Sequence, residues 1–290
     1  MRGWGRRILG GLFNQAKAKK ITARVTPMPA DTIADRFISA GWLMSQMDLA
    51  GGNRAYRYVG GRAVTVGLNA MHFKAPVFIG DDVTIYTEIV RQGKTSLTIR
   101  IDAYAERREG SAPEKVTEGY FSFVHIDEQG RPKEISNGRP GGLALALPQG
   151  AKPSSAEVSD TEPVLRDGQV LSLRTVPFPR DKNHNGDIFG GWVLSQMDLA
   201  GSLRARKHAG RAAAPVAIEA MTFHRPLSEL DEVSFYTEII RTGTTSLAVR
   251  VESWALRKDL EKYEKVTEGI FTYVAIDENR KPVPIAGQKP

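Results

Sequence analysis

A carboxylate stands in the same setting twice in this chain. Asp198 lies seven residues after the second glycine of Gly190-Gly191, and Asp48 lies seven residues after Gly41. The intervening Trp, Met, Leu and Ala residues read as an apolar helix, so seven residues is about two turns. N–H groups in the first turn of a helix have no intrahelical acceptor and carry partial positive charge. Glycine at that point lets a reacting carbonyl come close with no Cβ in the way. A helix start of this kind can stabilise an oxyanion. A carboxylate two turns along can act as general base or nucleophile in a cleft against a partner domain. The plainer roles are a cap or tight turn for the glycines and a satisfied buried polar group for each aspartate.

Several other chemistries have no basis here. The chain contains no cysteine, which excludes disulfides, thiolate metal sites and a cysteine nucleophile. A reducing cytoplasm is compatible with that, and cytoplasmic placement is the expectation. His72, His125, His184, His208 and His224 show no metal-ligand spacing and fall at no equivalent positions of a repeat. They are read as structural, and no metal or redox cofactor is expected.

The elements that must hold the two aspartates come in two sets. Gly-Trp-Leu-Met-Ser-Gln-Met-Asp-Leu-Ala-Gly from Gly41 returns as Gly-Trp-Val-Leu-Ser-Gln-Met-Asp-Leu-Ala-Gly from Gly191, at an offset of 150 residues. The same offset relates Tyr86-Thr87-Glu88 to Tyr236-Thr237-Glu238, and Lys115-Val116-Thr117-Glu118-Gly119 to Lys265-Val266-Thr267-Glu268-Gly269. One register held over that length marks a duplication. Each copy reads as a first strand (about 21–27 or 170–177), a polar loop, a helix (about 41–58 or 191–208) and four further strands. The helices are apolar nearly all round, so they are expected to be buried on most sides. Leu97, Ile99 and Ile101 alternate with Thr98, Arg100 and Asp102, the period of a half-buried strand. A sheet wrapped round one long helix satisfies this order, twice over. The class expected is α+β. The divisions expected are domain 1 at 20–133, a Gly-, Pro-, Ser- and Ala-rich linker at 134–168 and domain 2 at 169–290.

Residues 1–19 are set apart as a basic arm. Arg2, Arg6, Arg7, Lys17, Lys19, Lys20 and Arg24 meet no acid before residue 25, and without these seven the chain carries 33 basic and 33 acidic residues. The net charge of +7 is therefore local. The body has no overall pull on a phosphate backbone, so no nucleic-acid partner is expected. Trp4, Ile8, Leu9, Leu12 and Phe13 leave membrane contact open only through this arm. No apolar run approaches the roughly 20 residues of a membrane span.

Asn183-His184-Asn185-Gly186-Asp187-Ile188-Phe189-Gly190-Gly191-Trp192, followed by Ser195-Gln196-Met197-Asp198, resembles the signature of hotdog-fold acyl-CoA thioesterases. Met221-Thr222-Phe223 with Pro226, Thr245-Ser246 and Lys265-Val266-Thr267-Glu268 support it. The resemblance covers about residues 20–133 and 169–284, and the nearest types are single-domain bacterial and tandem-domain animal acyl-CoA hydrolases. It implies a double hotdog that hydrolyses fatty acyl-CoA to fatty acid and CoA, with CoA as part of the substrate rather than a cofactor. It implies a site formed across the two domains and three chains in a ring, a trimer with six hotdog units.

The same resemblance sorts the parts. One domain gives a Gly-rich loop with its Asn, and the other gives the helix Asp and a hydroxyl on the next strand. Asp48 and Thr65 then face Asn183, Gly186, Gly190 and Gly191, a complete set. Asp198 and Pro215 face Ile33, Arg36, Ala40 and Gly41, a set without the amide or the hydroxyl. One working site per chain is expected, with Asp48, Asn183, Gly190 and Thr65 catalytic and the Asp198 side vestigial. Gly186 and Gly191 are expected to bind substrate, and Lys94, Arg100 and Lys115 are candidate contacts for CoA phosphates. Two other readings remain. Hotdog hydratases and dehydratases place a His beside the acid, which neither helix does. A non-enzymatic acyl-CoA sensor would carry a DNA-binding domain, for which the first 20 residues are too short.

Overall fold

The structure is a computed structural model that describes residues 18–34, 37–110, 112–136, 141–142, 157–183, 186–259 and 262–285. The basic arm up to Lys17 and most of the expected linker lie outside the described residues.

The first half runs through strand β1 (Lys20–Val25), helix α1 (Ala40–Val59), and strands β2 (Ala63–Leu68), β3 (Met71–Phe73), β4 (Asp82–Gln92), β5 (Ser96–Glu106) and β6 (Glu114–His125). The second half repeats it with β7 (Gln169–Thr175), α2 (Gly190–Ala209), β8 (Ala213–Ile218), β9 (Met221–Phe223), β10 (Glu232–Thr242), β11 (Ser246–Leu256) and β12 (Tyr263–Ala275). Each helix is followed by five strands rather than four, because Asn69-Ala70 and Glu219-Ala220 interrupt the first.

That interruption joins the halves. On either side of it the chain pairs with the other half, Leu68 of β2 with Met221 of β9 and His72 of β3 with Ala217 of β8, while β3 also stays paired with β6 of its own half through His72 and Glu118. The strand order is β1-β4-β5-β6-β2-β9-β12-β11-β10-β7, within one fourteen-stranded antiparallel sheet. Two helix-wrapping sheets are thus one continuous surface, and the seam lies beside the residues of interest.

Both helices are buried as their composition predicts. Leu43, Met44 and Met47 of α1 and Leu194, Met197 and Ala200 of α2 are at most 2% exposed. Each large apolar side chain buried this way contributes about 1.5–3 kcal/mol. Left-handed Gly60 (φ 70°) and Gly210 (φ 66°) end the helices, a backbone conformation a Cβ resists. Alternation is clean on β4, where Val83, Ile85, Thr87 and Ile89 are buried and the residues between them are not. On β5 the expected alternation holds only in part, since Thr98 and Asp102 on the opposite face are also buried. Lys19, Arg100 and Lys115 lie across Asp102 and cover it.

Candidate active site

The two helices lie side by side and antiparallel, each starting against the middle of the other. A Cβ on Gly191 would come within 2.7 Å of the Ser45 Cα, and a Cβ on Gly41 within 2.7 Å of the Ser195 Cα. These two glycines serve the close helix contact before they serve any ligand. The contact brings each aspartate to the first turn of the opposite helix. Gly191 N–H donates to Asp48 Oδ2 at 2.7 Å, and Gly41 N–H donates to Asp198 Oδ2 at 2.8 Å.

Around Asp48 the arrangement is open on one side. Thr65 Oγ1 donates to Asp48 Oδ1 at 2.7 Å. Burial of the carboxylate outweighs both hydrogen bonds and raises its pKa from 3.8 to about 6. Asp48, Thr65, Asn183 and Gly190 line one cavity of about 290 Å³, walled by apolar residues including Ile188, Phe189, Val193, Phe223 and Leu227. Gly190 packs on the pair, since a Cβ there would be 3.1 Å from the Thr65 Cβ and 3.5 Å from Asp48 Oδ2. Phe189, a poor N-cap, provides no side-chain acceptor to this helix start. As the first helical residue, Gly190 has no intrahelical acceptor for its N–H.

Around Asp198 the same parts close. Thr65 is replaced by Pro215, but its cross-strand neighbour has changed as well. Thr65 pairs with Phe123, and Pro215 pairs with Tyr273. The Tyr273 hydroxyl lies 3.2 Å from Asp198 Oδ1 and 3.1 Å from the Asp198 carbonyl oxygen, to which it can donate. It reaches them over Gly201, where a Cβ would sit 2.4 Å from the hydroxyl. Burial raises the Asp198 pKa to about 6 and pushes that of Tyr273 well above its ordinary value. Both side chains are fully buried. A second cavity of about 350 Å³ is lined by Pro215, Phe73 and Arg280, but not by Asp198. Ser39 caps this helix start by accepting from Trp42 N–H at 2.8 Å.

The structure thus brings together Asp48, Thr65, Asn183, Gly190 and Gly191 from the expected set. Gly186 lies in the same loop at φ 84° and donates its N–H to the Asn183 carbonyl. Gly191 spends its N–H on Asp48. Ile33 falls in a short strand (Thr32–Ala34), its side chain outside the described residues, as is Arg36. Arg100 and Lys115 pair with Asp102 and Glu118, and Lys94 approaches Glu134. None of these three cations lines the cavity, whose own basic residues are Arg62, His224 and Arg225. His224, read as structural from the sequence, is a cavity wall. Burial and the Lys265 ammonium lower its pKa, which favours the neutral ring. Among the described residues no three His, Asp or Glu side chains group to hold a metal. Sequence reading missed Tyr273 and Arg62. Both were visible as departures within the repeat: Phe123 against Tyr273, and Arg62 against Ala212.

A double hotdog whose helices exchange aspartates across a seam defines the class of protein. The chain belongs to the thioesterase superfamily, whose model matches residues 36–112 and 185–261, once in each half. It is similar to the acyl-CoA thioester hydrolase YciA of Salmonella typhimurium, 41% identical over 121 residues, 41% of this chain and 91% of the relative. The protein of the same name from Escherichia coli K12 is 42% identical over 115 residues, 39% of this chain and 87% of the relative. Over nearly the whole length the fold is like a crystal structure assigned as an oleoyl thioesterase from Lactobacillus plantarum. That match has a TM-score of 0.62 at 11% identity, and covers 94% of this chain and 99% of the other.

Proposed function

We propose that the chain hydrolyses acyl-CoA thioesters to free acid and CoA at one site per chain, between the halves. The observation that carries the reading is the unequal setting of the two aspartates: Asp48 lines a cavity with Asn183, and Asp198 is sealed under Tyr273. The names of the relatives supply the acyl-CoA substrate, and the apolar wall suits an acyl chain.

In this reading Asp48 takes a proton from water as the water oxygen bonds to the thioester carbon. The carbonyl oxygen becomes an oxyanion that faces Gly190 N–H and the Asn183 side-chain amide. Collapse re-forms the carbonyl and breaks the C–S bond, and the CoA thiolate takes up the proton. Thr65 holds Asp48 in place. A pKa of about 6 suits a base at neutral pH. Both Asp48 oxygens already accept hydrogen bonds, which favours the base over direct attack by the carboxylate. The test is CoA release from a panel of acyl-CoA esters, acetyl to palmitoyl, with wild type and Asp48→Asn. Equal release by both would reject the assignment.

The same reading places domain 1 at 20–133, the linker at 134–168 and domain 2 at 169–290. It places the protein in the cytoplasm as a trimer of double hotdogs. Exposed Leu49, Tyr56 and Leu203 on the helices offer apolar contact for such an assembly. A monomer in light scattering would remove the trimer and leave the site.

A further inference from the structure

The cavity is bridged by an ion pair from one domain to the other. Arg62 stands just before β2 of the first half, three residues ahead of Thr65. Asp187 stands in the loop of the second half, between Asn183 and Gly190. Arg62 Nη2 donates to Asp187 Oδ1 at 2.6 Å, with both side chains about one-third exposed. Among the described residues neither side chain has another protein partner. Arg62 Nε and Asp187 Oδ2 are buried and unbonded.

Asp187 is locked to Asn183 through its backbone. Asn183 N–H donates to the Asp187 carbonyl at 2.9 Å, and Asp187 N–H donates to Asn183 Oδ1 at 3.1 Å. Whatever fixes Asp187 therefore fixes the amide of Asn183. The other end of the clasp is equally close to the chemistry, because Arg62 immediately precedes the strand that carries Thr65. At the sealed site the equivalent residues are Ala212 and Phe37, and no such pair can form. The bridge exists where the set of site residues is complete.

We propose that Arg62 and Asp187 are positioning residues, a clasp that holds the Asn183 loop in register with Asp48 and Thr65. The proposal rests on the thioesterase reading for its kinetic consequence, and on the ion pair alone for its structural one. An exposed ion pair that merely adds stability would leave turnover unchanged. A phosphate contact by Arg62 would affect CoA esters but not a thioester without phosphates.

The experiment compares Arg62→Ala, Asp187→Ala, the double variant and the charge exchange Arg62→Asp/Asp187→Arg. Folding is checked by circular dichroism. Turnover is measured with an acyl-CoA and with the matching acyl-pantetheine thioester. Misplacing a catalytic amide by about 1 Å costs on the order of 10²-fold. Each single variant is expected to lose about 10- to 100-fold in kcat on both substrates, with KM little changed. The double variant should lose no more than either single one, and the charge exchange should recover part of the loss. Amides from Asp187 to Gly190 should also exchange hydrogen faster in both single variants. A KM rise confined to Arg62→Ala and to the CoA ester overturns the clasp, as do additive losses or unchanged exchange. If wild type releases no CoA, the thioesterase reading falls, and the exchange measurement alone decides the clasp.

Discussion

The two halves present nearly the same helix to each other, yet the settings of Asp48 and Asp198 differ in the hydroxyl that reaches each carboxylate and in the cap of the helix start it faces. Nine of the twelve residues in 41–52 recur in 191–202. Each aspartate is buried, each accepts from a glycine N–H of the opposite helix, and each has its pKa raised to about 6 by burial. The hydroxyl separates them. Thr65 is small and leaves room above Asp48, whereas Tyr273 reaches Asp198 from the neighbouring strand and fills that room. At Asp48 the helix start has Phe189 in the capping position and no side-chain acceptor; at Asp198 it is capped by Ser39. The open site keeps a helix start that costs stability. The closed site has given up access and satisfied its polar groups.

The widest separation should be in rate. Replacing Asp48 with Asn keeps its size and removes the base, so turnover should fall by about 10²–10⁴. Asp198→Asn should change turnover by less than about threefold, because loss of a base matters only where one is used. Asn183→Ala should follow Asp48→Asn. Equal damage from the two aspartate changes in folded protein would show that both sites work, or that the domains pair differently in solution.

Much of this asymmetry was legible in the sequence, because duplication lets one chain be compared with itself. Thr65 against Pro215 and Ala40 against Gly190 were readable without coordinates. The relocated hydroxyl was not. Thr65 and Phe123 are 58 residues apart, and only the antiparallel register of β2 with β6 makes them neighbours. A hydroxyl lost at one position and gained at its cross-strand partner reads as two unrelated changes until that register is known. The helix contact behind Gly41 and Gly191 was hidden for the same reason, since its steric demand comes from the other half. The two-domain order was plain because the repeat at an offset of 150 residues shows it, and the buried helices because their composition is apolar nearly all round. The fusion of the sheets at Asn69-Ala70 depends on pairing across domains.

Acidity should sharpen the comparison next. Both aspartates have folded pKa values near 6 against 3.8 when unfolded. The folded state therefore holds more protons than the unfolded state between those values. Each group's contribution destabilises above pH 6, and the penalty is relieved as pH falls toward 3.8. The upper bound is about 3 kcal/mol per aspartate. Asn at 198 can still accept from Gly41 N–H, and its amide can donate to the Tyr273 oxygen. Asp198→Asn should thus raise stability in urea unfolding at pH 8 and have little effect at pH 4. Asp48→Asn should do the same while losing turnover. Wild-type kcat/KM should fall on the acid side with a midpoint near 6, as Asp48 becomes protonated. An acid limb centred near 4 would mean that burial does not control this carboxylate.

The smallest expected effect bears most directly on how the second site closed. Tyr273→Phe removes the hydroxyl and leaves the ring over Gly201. Asp198 then loses one donor in a dry setting, and a buried hydrogen bond of this kind is worth about 1 kcal/mol, or more where the acceptor is charged. Stability should fall by roughly that amount, and turnover should not change, because Tyr273 touches nothing in the Asp48 cavity. Pro215→Thr in the Tyr273→Phe background returns the hydroxyl to the member of the cross-strand pair that carries it at the working site. Thr65 Oγ1 reaches Asp48 at 2.7 Å from the equivalent register, with the same irregularity two residues on. The double variant should recover most of the lost stability. It should remain without turnover at Asp198 when tested in an Asp48→Asn background, because Ile33 still stands where the loop amide would be. If the double variant is no more stable than Tyr273→Phe, the two hydroxyls do not substitute for one another. The likeness between the sites would then end at the helices.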